Sequence, residues 1–212
     1  MNATAATAIS EKAAPDPSRR LGDLRAEFLE SKDFDDGEVV HKSIEWVKLG
    51  PIPIPIPNPP SRVHALKLHD VHHMVTGYGT HWVGEYQISG WEVGAGLHRN
   101  PVAWTFCLMG HTAGLVICPR KTVRAFARGR RGRTLFGQDP QAVFDSTLAE
   151  GKAFCGTDQP EPEVTAGDVT RALAWGALGV VTGLLPPLAW VLARFGRAPE
   201  TTIGEVPPAT DG

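Results

Sequence analysis

Leu21, Leu24, Phe28 and Leu29 recur at three- and four-residue intervals, which predicts a short amphipathic helix over 21–29. Residues 39–49 read as another helix, closed by Gly50. The Pro51-Ile52-Pro53-Ile54-Pro55-Ile56-Pro57 run that follows cannot be helix or central strand, because every second residue lacks an amide hydrogen and has a fixed φ. A stiff polyproline II connector is the expectation, with an apolar rim formed by Ile52, Ile54 and Ile56 as the lesser alternative. Ser61 is a candidate N-cap for a helix over 62–75. After the turn signal Gly77-Tyr78-Gly79, a second helix is predicted over 82–97, rich in Gly84, Ser89, Gly90, Gly94 and Gly96. A glycine costs ~1 kcal/mol in a helix interior, so these residues imply close approach of a neighbouring helix or a ligand. Trp82, Tyr86 and Trp91 supply bulk, expected mostly as core.

Asn100-Pro101 breaks that helix and starts the next, over 102–118, which is apolar nearly all round and expected at the centre of the fold. Pro119 ends it, a basic helix follows, and 141–154 forms one more. Residues 172–193 carry no charge over 22 positions, enough for the ~20 that a bilayer span needs. Gly176, Gly179, Gly183 and Pro186-Pro187 argue against a simple span, while Trp175 and Trp190 sit where interfacial aromatics would. An in-plane or re-entrant membrane hairpin is the first reading, packing on the core or on a dimer partner the second, and a kinked span the third. The fold class that emerges is all-α. A single helical domain has an antiparallel helix pair carrying a candidate metal site, plus an apolar C-terminal helical segment. Its divisions are a disordered tail over 1–20, the core over 21–168, the apolar segment over 169–195 and a flexible tail over 196–212.

A length of 212 residues suits one domain with a sizeable core. The net charge of −2 excludes nucleic acid as a global partner. Charge is uneven, however: Arg120, Lys121, Arg124, Arg128, Arg130, Arg131 and Arg133 fall within fourteen residues. They suit a solvated helix face or acidic lipid headgroups, each basic residue contributing ~1 kcal/mol at such a surface, and less readily a phosphate. Cys107, Cys118 and Cys155 form an odd set with no C-x-x-C, which fits a reducing compartment; Cys107 and Cys118 are read as small buried hydrophobes, and none of the three as a ligand or nucleophile. Residues 1–20 lack the basic start and apolar core of a signal peptide. Asp33, Asp35 and Asp36 before Gly37 fail as a calcium loop, since the glycine is one place early and no twelfth-position glutamate follows.

The densest chemistry is His69-Asp70-Val71-His72-His73, followed after eleven intervening residues by Glu85. His69 and His73 are i,i+4 neighbours and Asp70 is i,i+3 to His73, so one helix stripe carries all three. His73 and Glu85 lie about equally far, on the order of 6 Å, from the turn at ~1.5 Å rise per residue, so an antiparallel second helix brings Glu85 level with His73. Two imidazoles and two carboxylates at one height suit zinc or another divalent ion. His64, His72 and His81 crowd the same region, and any one of them alone reads as surface or core. His111, the one ionisable residue of its apolar helix, is a weak candidate behind the metal or as a proton donor near it, with His98 weaker still.

The H-D-x-x-H-x11-E spacing resembles the signature of the coenzyme Q (ubiquinone) biosynthesis protein 4 family, matched at His69, Asp70, His73 and Glu85 without departure. Leu68, Thr76-Gly77-Tyr78, Gly84 and the basic segment 127–133 add to the resemblance, which covers roughly 21–140. It implies an all-helical fold, a zinc site (or iron or manganese) at those four residues, and a polyprenylated aromatic substrate. The implied activity is removal of the ring C1 carboxylate coupled to hydroxylation there. The implied setting is peripheral, on the cytoplasmic side of an inner membrane or the matrix side in a mitochondrion, beside other ubiquinone biosynthesis proteins, with a homodimer in prospect. The family has also been viewed as a non-catalytic organiser that binds a prenyl lipid, and the sequence does not choose. The 172–193 segment lies outside the resemblance. A His-Asp phosphohydrolase is a third reading, drafting His41 and Asp145, but it leaves Glu85 unexplained.

Overall fold

Four of the eight helices among the described residues open on proline, whose missing N–H is an orphan at that position anyway and whose φ is preset for a helix. The computed structural model describes residues 15–30, 44–49, 52–57, 60–98 and 101–195. The elements in order are α1 (Leu21–Glu30), β1 (Ile44–Leu49), β2 (Ile52–Pro57), α2 (Pro60–Thr76), α3 (Trp82–Ala95), α4 (Pro101–Ile117), α5 (Pro119–Gly129), α6 (Pro140–Asp145), α7 (Leu148–Cys155) and α8 (Ala166–Phe195). The described residues form a single, mainly helical domain with a short two-stranded ribbon.

Several expectations are refined. Helix α2 begins at Pro60, so Ser61 lies inside its first turn instead of capping it. The predicted helix over 39–49 is strand β1 over its last six residues. The Ile-Pro run is its antiparallel partner, with Glu45 opposite Ile56 and Val47 opposite Ile54. A two-stranded ribbon consists of edges only, and there a proline can turn its donor-less nitrogen away from the partner. The predicted helix over 141–154 is two, because Thr147 starts α7 with a capping box in which its hydroxyl accepts from Glu150 N–H and the Glu150 side chain accepts from Thr147 N–H. Residues 15–20, placed in the tail by composition, are ordered against α7: Leu148 N–H donates to Arg19 O at 2.8 Å and Ala149 N–H to Pro17 O at 2.9 Å. Residues 1–14, the acidic segment 32–38, His41 and residues 196–212 lie outside the described residues.

The core gathers Leu68, Val71 and Val75 of α2, Ile88 and Trp91 of α3, Leu108 of α4, Phe126 of α5 and Leu148 of α7. Helix α3 packs chiefly on α4 and α5. Its glycines do this work: a methyl at Gly94 would run into the Phe126 carbonyl, and one at Gly129 of α5 into the Trp91 carbonyl. They serve helix contact and not a ligand tunnel. Helix α4 is less central than its apolarity predicts, since Phe106, Met109, Val116 and Ile117 face outward.

The apolar C-terminal segment belongs to one helix, α8, and not to a hairpin. Its first half packs on α4: Thr112 donates to Gly176 O at 3.0 Å, and Ala172 is fully buried. Its N-terminus is anchored by Asp168, which accepts from Thr165 N–H, from the Thr165 hydroxyl and from Arg130 and Arg131. The Asp168 carboxyl therefore stays well below the ordinary carboxylate range: burial opposes this, and the Thr165 and arginine hydrogen bonds outweigh it. No helix among the described residues is long and apolar enough to cross a membrane.

Candidate metal centre

The loop between α2 and α3 is set by two glycines. Gly77 has φ +78°, a left-handed conformation that ends α2 without a Cβ penalty. Gly79 lies so close beneath Gly84 in the first turn of α3 that a methyl there would strike its carbonyl. Arg128 of α5 pins the loop, donating to Thr76 O at 3.0 Å and to Thr157 O at 2.9 Å while stacking over the Tyr78 ring. The Tyr78 carbonyl then faces His73.

His69, His73 and Glu85 converge into one group whose ligand atoms lie within 4.8 Å of one another. The His69 and His73 Nε2 atoms are 3.3 Å apart, and each lies 3.5 Å from a different oxygen of Glu85. Both rings are oriented from behind. Nδ1–H of His73 donates to Tyr78 O at 3.0 Å, and Nδ1–H of His69 to Glu92 Oε1 at 2.9 Å. With Nδ1 carrying the hydrogen, each Nε2 turns a lone pair toward the other and toward the carboxylate. Two lone pairs at that separation need a cation between them or a proton on one of them, so the donor set fits a divalent ion.

The same arrangement favours a proton on His69. Burial works against a charged His69, but the Glu92 charge and the hydrogen bonds to Glu85 and Glu92 outweigh it and raise its pKa well above the usual histidine value. Burial would raise Glu85, but hydrogen bonds and charge from His69 and His73 bring its pKa down to about 2. Glu92, fully buried, is likewise pulled far below the carboxylate range against its burial by His69 and His72.

Asp70, the fourth expected ligand, is not part of the group. Its Oδ2 accepts from Arg25 of α1, from Nε at 3.1 Å and from Nη2 at 2.9 Å, in a pair whose side chains are almost wholly buried. Burial raises the Asp70 pKa, and the Arg25 charge partly offsets it. Asp70 thus ties α1 to the metal helix. His111 is also elsewhere. It is buried against α8, its Nε2–H donating to Ala172 O at 2.9 Å while its Nδ1 has no partner. Burial lowers its pKa. His98 is exposed, with φ 49°, beside Gly137, and Asp145 lies on the surface 3.9 Å from Arg20.

Sequence reading passed over Glu92 and the Tyr78 carbonyl, and took His72 for a surface or core residue, of which it is the second. Glu92 lies two turns beyond Glu85, so it shares a stripe of α3 with Glu85 and Ser89, and that spacing was the available signal. His72 is structural: Nδ1–H donates to Glu92 at 2.7 Å and Nε2 accepts from Leu135 N–H at 2.8 Å. All three cysteines are free thiols. Cys107 is buried and donates to Glu92, and burial followed by the Glu92 charge pushes its pKa well above normal. Cys118 is only partly buried, contrary to expectation.

A cavity of about 430 Å³ opens beside the group. His69, Glu85, Ser89 and Arg62 are among its polar lining, and Leu66, Tyr86, Phe106 and Phe136 form much of its apolar wall, with Trp82 also lining it. Such a site would take a largely apolar ligand with one anionic or polar head. No family model, curated protein or solved structure matches the chain.

Proposed function

We propose that the protein acts in ubiquinone synthesis, as a metal-dependent enzyme that removes the C1 carboxylate of a polyprenylated hydroxybenzoate and installs a hydroxyl there. The observation that carries this reading is a three-donor group, His69, His73 and Glu85, of which His69 and Glu85 line a largely apolar cavity. The spacing of these residues within the H-D-x-x-H-x11-E pattern adds the family resemblance. With Asp70 engaged by Arg25, three protein donors leave a coordination position open, which favours an enzyme over a closed four-ligand structural site.

Zinc is the ion the resemblance implies, and two histidines with one carboxylate also suit iron or manganese. When bound, the ion supplies a positive centre that orients the ring carboxylate and stabilises anionic charge as CO2 leaves. The aromatic side chains of the cavity hold the ring and the start of the isoprenoid tail and exclude water. The balance requires O2 and a two-electron reductant: one oxygen atom goes to ring C1, the carboxylate departs as CO2, and the second oxygen leaves as water with two protons. With zinc, which cannot change valence, two of the four electrons that reduce O2 come from the substrate and two from that reductant. A membrane surface is the source of such a substrate. Outward Val116 and Ile117, next to exposed Arg120, Lys121 and Arg124, support a peripheral association there.

The test begins with metal content by mass spectrometry on protein purified without chelator or nickel, for wild type, His73→Ala and Glu85→Ala. About one equivalent of zinc, iron or manganese, lost from both variants, is expected, followed by CO2 release from a prenylated hydroxybenzoate. Metal-free wild type refutes the centre. Metal and lipid bound without turnover would replace the enzyme with a prenyl-lipid carrier serving partner enzymes.

A further inference from the structure

Glu92 is a carboxylate with no exposed surface, on the stripe of α3 that carries Glu85. Burying a charge this completely is costly unless hydrogen bonds compensate it. Three donors do so. His69 Nδ1–H and His72 Nδ1–H reach Oε1 at 2.9 and 2.7 Å, and the Cys107 thiol reaches Oε2 at 2.9 Å. His72 is itself locked. Leu135 N–H donates to its Nε2, which leaves Nδ1 as the protonated nitrogen, and the Trp91 and Phe136 rings pack against it. The ring cannot turn to offer Glu92 a lone pair.

The arrangement is asymmetric across the metal group. His73 is oriented by a neutral backbone carbonyl, whereas His69 is oriented by an anion. A carboxylate behind a ligating imidazole fixes its tautomer and direction and makes its other nitrogen a stronger donor, and loss of such a partner costs about 10–100-fold in metal affinity.

We propose that Glu92 is a positioning residue of the metal centre: it aims Nε2 of His69 into the group and strengthens it as a donor, and His72 and Cys107 hold Glu92 in place for that task. This rests on the metal reading above. On this assignment Cys107, although it lines the cavity, serves as a hydrogen-bond donor and not as a nucleophile.

The experiment is a Co2+ titration of the full chain against a competing chelator, read by the visible ligand-field spectrum, with wild type, Glu92→Gln and Cys107→Ala. Glu92→Gln is expected to lose about 10–100-fold in Co2+ affinity and to shift the ligand-field bands, with helicity by circular dichroism unchanged. Cys107→Ala should give a smaller loss and a shift in the same direction. Wild-type affinity and spectrum in Glu92→Gln overturn the proposal while leaving the metal centre standing. A wild type that binds no Co2+ overturns both. If Glu92→Gln does not fold, Cys107→Ala decides, and an unchanged affinity and spectrum there overturn the proposal.

Discussion

Replacing Asp70 with asparagine separates a ligand from a tether. The Arg25 and Asp70 side chains are 7% and 12% exposed, and Arg25 holds Asp70 through two nitrogens. Breaking a buried pair from one side costs about 3–5 kcal/mol where the remaining charge has no other partner, and Arg25 has a further interaction. Arg25 keeps the Phe144 ring 5.4 Å from its guanidinium, a contact of roughly 1 kcal/mol, so the lower end applies. A loss of about 3 kcal/mol lowers Tm by roughly 6–12 °C in a domain of this size. Urea denaturation and thermal melting of Asp70→Asn, alongside its metal content, make the assay. Marked destabilisation with metal stoichiometry intact is expected. An Asp70→Asn variant that melts like wild type but holds no metal would refute the reasoning and restore Asp70 as the fourth ligand.

The metal-free centre should also be legible in the pH dependence of stability. With its pKa lowered to about 2, Glu85 contributes stability above its ordinary value of 4.5 and loses it as pH falls toward 2. His69, raised, contributes fully below 6.5 and loses it as pH rises through its folded value. Denaturation of metal-free wild type and Glu85→Gln between pH 5 and 2 should show the two curves converging on acidification, and parallel curves would contradict the pairing. Gly129→Ala should be among the most damaging single-methyl changes, since the added carbon meets the Trp91 carbonyl, and a melting curve near wild type would show that α3 and α5 can separate. Ser89→Leu should fill the cavity beside Glu85 and abolish binding of a prenylated hydroxybenzoate, followed by Trp fluorescence, while metal content stays at wild-type level.

Helical periodicity made the His69, His73 and Glu85 group readable, because i,i+4 spacing and a short glycine turn leave few places for the three to go. Asp70 was harder. It sits about 100° round the helix from His69, at the edge of the stripe, and its direction is decided by Arg25, forty-five positions earlier. No local pattern reports such a contact. Glu92 looks like any helix carboxylate until His72, Leu135 and Cys107 close around it. The ribbon was missed because Ile44–Leu49 gains its strand from pairing with a proline-bearing segment, a preference that belongs to the pair and to neither half alone. Most of the eight helices among the described residues were visible; their misplaced starts follow from prolines that open helices, and the split of 141–154 from the capping box at Thr147.

The ribbon also has a social consequence. Along β2 every second residue is proline, and the ladder to β1 takes its donors from the isoleucines between them. The free edge of β2 therefore offers carbonyl oxygens but no amide hydrogens. An incoming strand would find half of the expected partners missing, so this edge cannot template growth into a larger sheet. A protein that exposes apolar side chains on α4 and α8 thereby carries, on the β2 side of its described ribbon, an edge closed to strand addition.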